Sequence, residues 1–451
     1  LIDINPAVLT EVENQLDVMT ITGNGASVSV LQQAGIEKAD LLIGASDSDD
    51  RNLIACALAK RFQVPTTIAR VRNEEYLFPD RSYYSQAMNV DLIINPDEVA
   101  SQELYDLLEN PVAVSVAEFA GGKLKLIGVD VEMNVPICNR TLKELPDMGF
   151  LGAMLIACIV RDNDVIIPRG DTRLLPGDRV YVISDAISLA KVNEMGGVAY
   201  KSLRKVILVG ASRVSYFLAE RFEDTDIHLI LIDKDVERCE MFASELQHAT
   251  ILCGDGTDNA ILAEAGIQDA DGFVAASQDD EINILSAILA KERGAKRVIT
   301  LMRKPQYMPL MSRIKLVDVA VNPRLATINA IMRYVRQGKI LSMATIAEER
   351  AEAIEVEVAS ESVLAGKKLR DGFLPRDVLL GAIIRDEEII IPRGDDALQA
   401  NDRAIIIALQ ESINKVDSMF ARSRSALGLK KMLKTISNSV THTAGTEKEP
   451  E

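Results

Sequence analysis

Between residues 205 and 301 short apolar runs alternate with longer amphipathic ones. VILVG (206–210) precedes a helical stretch over 214–222, HLILID (228–233) precedes 235–247, and ATILCGDG (249–256) precedes 257–265. GFVAAS (272–277) then leads into 279–293, and RVITLM (297–302) closes the series. Uninterrupted apolar strands separated by helical runs predict a parallel sheet covered on both faces.

The same plan occurs earlier in the chain. The segment 24–62 aligns with 254–293: AGI at 34–36 returns at 265–267, Asp40 matches Asp271, Ala45-Ser46 matches Ala276-Ser277, and Asn52 matches Asn283. LIDIN (1–5) echoes LIDKD (231–235), and NPDEVASQEL (95–104) echoes NPRLATINAI (322–331). A second repeat is interleaved with it, VRDNDVIIPRGDTRLLPGDRVYVI (160–183) returning as IRDEEIIIPRGDDALQANDRAIII (384–407). An ordered double repeat defines the architecture before any single motif does.

The expected fold is therefore α/β, with two tandem Rossmann-like domains of doubly wound parallel sheet, each followed by a small α+β domain. The expected bounds are 1–110 and 111–190 for the first pair, 204–340 and 341–415 for the second, and 416–451 for a polar tail, with SNSVTHTAGTEKEPE (437–451) expected to be disordered. The segment 184–205 reads as a linker. The first unit starts at its second strand, without a first strand, glycine turn or first helix. It is expected to be an N-terminally shortened form of a slightly longer protein.

Composition narrows the function. Of the 451 residues 48% are hydrophobic, enough for real cores, but aromatics are only 4% and Trp is absent, so Val, Ile, Leu and Ala build them. A formal charge of −17 argues against nucleic acid as a partner. The longest apolar window, MGFLGAMLIACIV (148–160), is too short for a membrane span and reads as a buried strand. Five scattered cysteines without CxxC spacing suit a reduced compartment, with neither a disulfide framework nor a zinc site. Only three histidines exist, His228, His248 and His442, and none is expected at the carboxyl end of a strand. That weakens the alternative of an NAD(P)-dependent oxidoreductase, because hydride transfer needs a positioned acid or base.

In such units ligands bind at the carboxyl ends of the strands, where strand order reverses. The second unit offers Gly210 after its first strand, Asp233 after its second to accept from ribose hydroxyls, and Ala276-Ser277 after its fourth. Two glycines of the dinucleotide turn are replaced by Ser212 and Ser215. Ser212 intrudes toward the pyrophosphate but offers a hydroxyl, Ser215 is expected to push the helix outward, and Arg213 adds a compensating cation. The first unit offers Asp3, Ser46 and Asp47, with Arg70 placed to reach phosphate. Leu301 stands where Arg70 is matched. Acids at the PRGD turns, Asp171 and Asp395, are candidates for a divalent cation that turn geometry alone also explains.

The A-B-A′-B′ order, the ADxLIxAS-type segments, NPDEV/NPRLA and the paired IIPRGD turns resemble the TrkA family, the regulatory subunits of bacterial Trk potassium uptake systems. The resemblance covers nearly the whole chain. It implies two regulator-of-potassium-conductance units that bind NAD(H) or ATP/ADP at Asp3, Ser46, Asp47 and Arg70, and at Gly210, Ser212, Asp233, Ala276 and Ser277. It further implies a non-enzymatic homotetrameric ring, cytoplasmic and peripheral on the inner face of the plasma membrane. The implied partner is a TrkH-like membrane potassium channel or transporter subunit. The helices starting at Pro96 and Pro323 are the candidate levers.

Overall fold

The computed structural model describes residues 1–413, 416 and 419, apart from 77–80, 151–153, 163, 186, 198–202, 312–316, 337–339, 347–349, 360–361, 363 and 373. His442 and the polar segment 437–451 lie outside the described residues.

The first unit contains β1 (Ile2–Asp3), α1 (Pro6–Gln15), β2 (Ile21–Thr22), α2 (Val28–Gln33), β3 (Leu41–Gly44), α3 (Asp49–Arg61), β4 (Thr66–Arg70), α4 (Arg81–Ala87), β5 (Leu92–Ile94) and α5 (Pro96–Glu109). A small unit follows with β6 (Ala113–Phe119), β7 (Leu124–Asp130), β8 (Met154–Arg161), β9 (Asp164–Ile166), β10 (Arg179–Asp185) and α6 (Leu189–Met195). The second large unit contains β11 (Lys205–Val209), α7 (Arg213–Glu223), β12 (His228–Asp233), α8 (Val236–Glu245), β13 (Thr250–Cys253), α9 (Asn259–Glu264), β14 (Gly272–Ala275), α10 (Asp280–Glu292), β15 (Arg297–Leu301), α11 (Met308–Met311), β16 (Val319–Val321) and α12 (Pro323–Arg336). The last small unit has β17 (Ile340–Ile346), β18 (Ala351–Glu357), β19 (Val378–Arg385), β20 (Glu388–Ile390) and β21 (Arg403–Leu409).

The second large unit forms one parallel sheet in the order β13-β12-β11-β14-β15-β16. Its strands are apolar on both faces because helices cover both, which is what a βαβ crossover imposes. Strand order reverses at β11 and β14, so a crevice opens at their carboxyl ends. In the first large unit the strands fall in two parallel sheets, β1-β2 and β3-β4-β5, with no described strand joining them where β11 stands in the second.

Capping explains where the helices begin. Ser48 accepts from Arg51 N–H at the start of α3, whose first turn carries Asp49 and Asp50 and whose last carries Lys60 and Arg61. Asn95 caps α5 in the same way, with Pro96 in its first turn, where the missing N–H costs nothing.

The small units are antiparallel five-stranded sheets of identical order, β6-β7-β10-β8-β9 and β17-β18-β21-β19-β20. They pack face to face through one apolar layer in which Phe119, Cys158 and Ile183 meet Ile384, Ile405 and Ile407. MGFLGAMLIACIV does supply the buried strand β8. Segment 184–205 differs from the expected linker: its middle forms α6, whose Val192 and Met195 are buried in the main core. Amphipathic spacing over only two turns is too brief a signal to show this in sequence.

Two helices tie the halves together. α7 of the second large unit lies against α5 of the first. Its Phe217 enters the first unit's core beside Leu53, Val71 and Ile93, and Phe222 stacks on Tyr105 with centroids 5.5 Å apart. α12 also lies against α5 and continues onto β17. Of the apolar residues at helical spacing along α12, Leu325 is exposed, Ile328, Ile331 and Val335 are half-buried, and Met332 reaches the second small unit's core. A cleft of about 740 Å³ opens between the halves, lined by Asp106 of α5, Tyr181, Asn329 of α12, Thr345 and Arg403 among others.

Candidate functional site

In the second large unit the chain turns at Gly210 with φ +101°, a conformation open to glycine and strained for any side chain. Its N–H donates to Ile232 O at 2.8 Å. A Cβ here would collide with the Ser277 backbone, so the turns after β11 and β14 pack directly on each other. Ser212 is the N-cap of α7, its Oγ accepting from Ser215 N–H at 3.2 Å. Ser215 is fully buried and its hydroxyl donates to Gly210 O at 2.5 Å. The expectation that Ser215 pushes the helix outward is corrected: the hydroxyl bonds inward to the turn itself. Ser212, also buried, is engaged as a cap. Arg213 differs from expectation too, donating to the carbonyl of Arg72 in the first unit.

Asp233 ends β12 and fastens this turn. One carboxylate oxygen accepts from Ala211 N–H at 2.5 Å and the other from Asp235 N–H at 2.9 Å. Each oxygen keeps a further lone pair, so the acid can also accept from ribose hydroxyls. Ala276, wholly buried, donates its N–H to Val209 O at 2.8 Å, and Ser277 N–H donates to Asn283 Oδ1 at 2.8 Å. Gly210, Ser212, Asp233, Ala276 and Ser277 therefore meet at one end of one sheet.

The first unit groups its residues differently. Ser46 N–H donates to Asn52 Oδ1 at 2.8 Å, and Arg70 Nη2 donates to Ser46 O at 2.7 Å. Asp3 stands in the separate β1-β2 sheet, its carboxylate accepting from Asn5 N–H at 2.8 Å. Asp47 points outward, 85% exposed, and pairs with Arg51 at 2.7 Å. Arg70 is half-buried, and burial, then the neighbouring Arg72, lower its pKa. Its Nε is buried without a hydrogen-bond partner. A guanidinium with an unsatisfied N–H at a strand end suits a phosphate, which planar donors recognise well. In the second unit the matching Leu301 is completely buried and offers nothing comparable.

Asn52 and Asn283, matched in the repeat, belong to the site as well. Asn52 Nδ2 donates to Ser46 O at 3.0 Å and Arg70 O at 2.8 Å; Asn283 Nδ2 donates to Ser277 O at 3.1 Å and Leu301 O at 3.0 Å. Each staples the turn after one strand to the end of the next. Asp49 and Asp280 are a second such pair: Asp49 accepts from Arg72 and Asn73 N–H, Asp280 from Arg303 and Lys304 N–H. Their signal was the recurrence itself, at equal spacing in both units.

The acids of the small units have basic partners. Asp171 pairs with Lys143 at 2.7 Å and Asp395 with Arg370 at 2.7 Å. Among the described residues no three His, Cys, Asp or Glu side chains are grouped to hold a metal. Among them, too, no helix is long and apolar enough to cross a membrane. His228 opens β12, and His248, just before β13, contacts Glu223. Both lie at the amino ends of strands, away from the crevice.

Comparison with known proteins agrees with this architecture. The TrkA-N domain model matches residues 1–96 and 206–323, and the TrkA-C domain model matches 126–195 and 353–421. The Trk system potassium uptake protein TrkA of Halomonas elongata is 33% identical over 423 residues, 91% of either chain. A TrkA homolog of Archaeoglobus fulgidus is 34% identical over 408 residues, 90% of this chain and 91% of that one. Among solved structures, the GsuK RCK domain aligns with TM-score 0.55 and 18% identity, covering 94% of this chain and 89% of that one. The GsuK channel bound to NAD aligns with TM-score 0.57 and 17% identity, covering 94% and 74%. At those identities the likeness is one of fold. The chain belongs to the TrkA family, with its TrkA-N and TrkA-C domains each present twice in tandem.

Proposed function

We propose that this protein is the nucleotide-responsive regulatory subunit of a potassium uptake system, acting by binding and not by catalysis. NAD(H) or ATP/ADP binds in the crevices of both large units, chiefly the first. There Asp3 takes the ribose hydroxyls, the Ser46-Asp47 turn borders the ligand, and Arg70 holds phosphate. In the second unit Gly210 and Ser212 present the turn, Asp233 takes the ribose, and Ala276-Ser277 leaves room for the ligand. The observation that carries the reading is the half-buried Arg70 guanidinium at a strand end, fixed by Ser46 O through Nη2 while its Nε has no partner.

Gating follows from linkage. A ligand shifts a ring between two shapes only if it binds them unequally. The two halves meet through α5, α7 and α12 across the interdomain cleft, so nucleotide at the strand ends changes the angle between halves. That motion reaches a TrkH-like membrane subunit from a homotetrameric ring on the cytoplasmic face. The outer faces of α3 and α10 support assembly: Ile54 and Leu285, at matching positions, are 44% and 49% exposed.

The test is calorimetric titration of the protein with NADH, NAD and ATP, beside Asp3→Ala and Asp233→Ala. Binding lost in Asp3→Ala places the working site in the first unit, and loss in Asp233→Ala places it in the second. No saturable binding by any form overturns the reading.

A further inference from the structure

Two cysteines, Cys239 and Cys253, stand beside Asp233. Along β13, Ile251 packs in the core that holds Phe242 of α8, while Leu252 faces Ile261 and Leu262 on the opposite side. Side chains alternate along a strand, so Cys253 lies on the α8 face. Cys239, in the first half of α8, is buried, and its thiol donates to Asp233 O at 3.2 Å. Asp233 and Cys253 are register neighbours on β12 and β13, and the same Asp233 carbonyl accepts from Gly254 N–H at 2.8 Å. Both side chains thus border the Asp233 carbonyl on the α8 side of the sheet, Cys253 as an exposed residue and Cys239 as a buried one.

We propose that Cys253 and Cys239 form a peroxide-responsive dithiol whose disulfide closes across the edge of the second nucleotide site. The exposed Cys253 thiolate attacks one oxygen of hydrogen peroxide, the O–O bond breaks, and the departing hydroxide leaves as water after taking a proton. Cys253 is then a sulfenic acid. The Cys239 sulfur attacks Cys253 Sγ, the S–S bond forms, the S–O bond breaks, and the hydroxyl departs with the Cys239 proton as a second water. Two thiols lose two electrons in all, and one peroxide is reduced to two waters. A thiol reductant reverses the bond by exchange.

The order of attack follows from the surroundings. Burial and the neighbouring Cys253 push the Cys239 thiol up to about 11, so it stays protonated until its partner has reacted. Cys56 and Cys158 are buried and shifted upward, Cys56 to about 12, which keeps them unreactive. The device belongs to the second unit alone, because the first carries Leu9 and Thr22 at the corresponding places on α1 and β2. Closing the bond withdraws the Cys239 S–H from the Asp233 carbonyl and ties α8 to the strand end. Its effect on ligand rests on the nucleotide reading given above.

Two measurements test the proposal separately. The protein is treated with one equivalent of hydrogen peroxide, blocked with iodoacetamide and digested with trypsin without reduction. Both cysteines fall on one fragment, 239–291, bounded by Arg238 and Lys291. The expected fragment is lighter by two hydrogens, carries no acetamide group, and regains two after dithiothreitol. Cys253→Ser and Cys239→Ser each abolish the loss of hydrogens; Cys253→Ser changes an exposed residue, so it reports even where Cys239→Ser misfolds. A fragment that keeps both thiols alkylatable, or carries sulfinic acid on Cys253 without a loop, overturns the dithiol. Calorimetry with NADH and ATP in the Asp3→Ala background then compares the two forms. At least tenfold weaker binding by the oxidised form is expected, and equal affinity overturns the coupling. Binding by neither form overturns nucleotide occupancy of the second unit and the coupling with it, while the mass result stands.

Discussion

The two large units hold the same frame and differ in what the frame presents. After β3 and β14 the turn is held by the same three hydrogen bonds, through Asn52 in one unit and Asn283 in the other, with a fourth from the Ser46 hydroxyl in the first. One strand further on they part. β4 ends in Arg70, half-buried with an unsatisfied N–H; β15 ends in Leu301, sealed in the core. Backbone-directed hydrogen bonds preserve the shape of a crevice, whereas a single side chain at a strand end decides whether an anion finds a partner there. The second unit instead invests in its glycine turn, where both serines are bonded inward and Asp233 clasps the Ala211 amide.

That turn is where the largest effect is expected. Gly210→Ala must place a Cβ against the Ser277 backbone at a positive φ, and should cost about 3–5 kcal/mol from backbone strain and overpacking together. Chemical denaturation measures it, and a loss under about 1 kcal/mol would mean that the two turns are free to separate. Next come the matched staples. Asn52→Ala and Asn283→Ala each strand buried backbone carbonyls, and each should lose about 2–3 kcal/mol. Equal losses support a common frame, and a clear inequality would break the comparison at its firmest point.

Exchanging the divergent residue sharpens the contrast. Arg70→Leu should weaken nucleotide binding by the first unit about 10- to 100-fold, the range expected for one hydrogen bond to a charged group, with little change in melting temperature. Calorimetry showing unchanged affinity would remove Arg70 from the site. The smallest effect concerns the last helices, where the repeat matches Asp106 of α5 with Arg333 of α12. Burial, then Glu118, raises the Asp106 pKa from 3.8 to about 6. The folded state binds the proton more tightly than the unfolded one, so this carboxyl destabilises fully above about pH 6 and not at all below 3.8. Asp106→Asn should therefore stabilise the protein at pH 7 by about 1–3 kcal/mol and leave stability below pH 4 unchanged. Urea titrations at the two pH values decide it, and a gain that persists in acid would point to packing.

Much of this was legible along the chain. Strand and helix order followed from apolar runs, and the acid after the second strand from its distance to the glycine turn. What periodicity could not show was direction. Arg213 reads as a phosphate ligand, yet reaches the Arg72 carbonyl because α7 lies on the first unit. Ser215 reads as an obstacle, yet bonds to Gly210 because a hydroxyl can donate where a methyl would clash. α6 reads as a linker because two buried turns leave too short a pattern.

The double repeat, the parallel sheets and the residue types at each strand end were all readable from the order of amino acids alone. Those features are local or periodic, and burial on one or two faces writes them into the order of apolar and polar residues. It took the folded chain to show that the small sheets share one apolar layer, that Phe217 completes the first unit's core, and that Cys239 and Cys253 both border Asp233. Such contacts join surfaces distant along the chain, and their partners depend on how whole elements are placed in space, which no spacing between residues records.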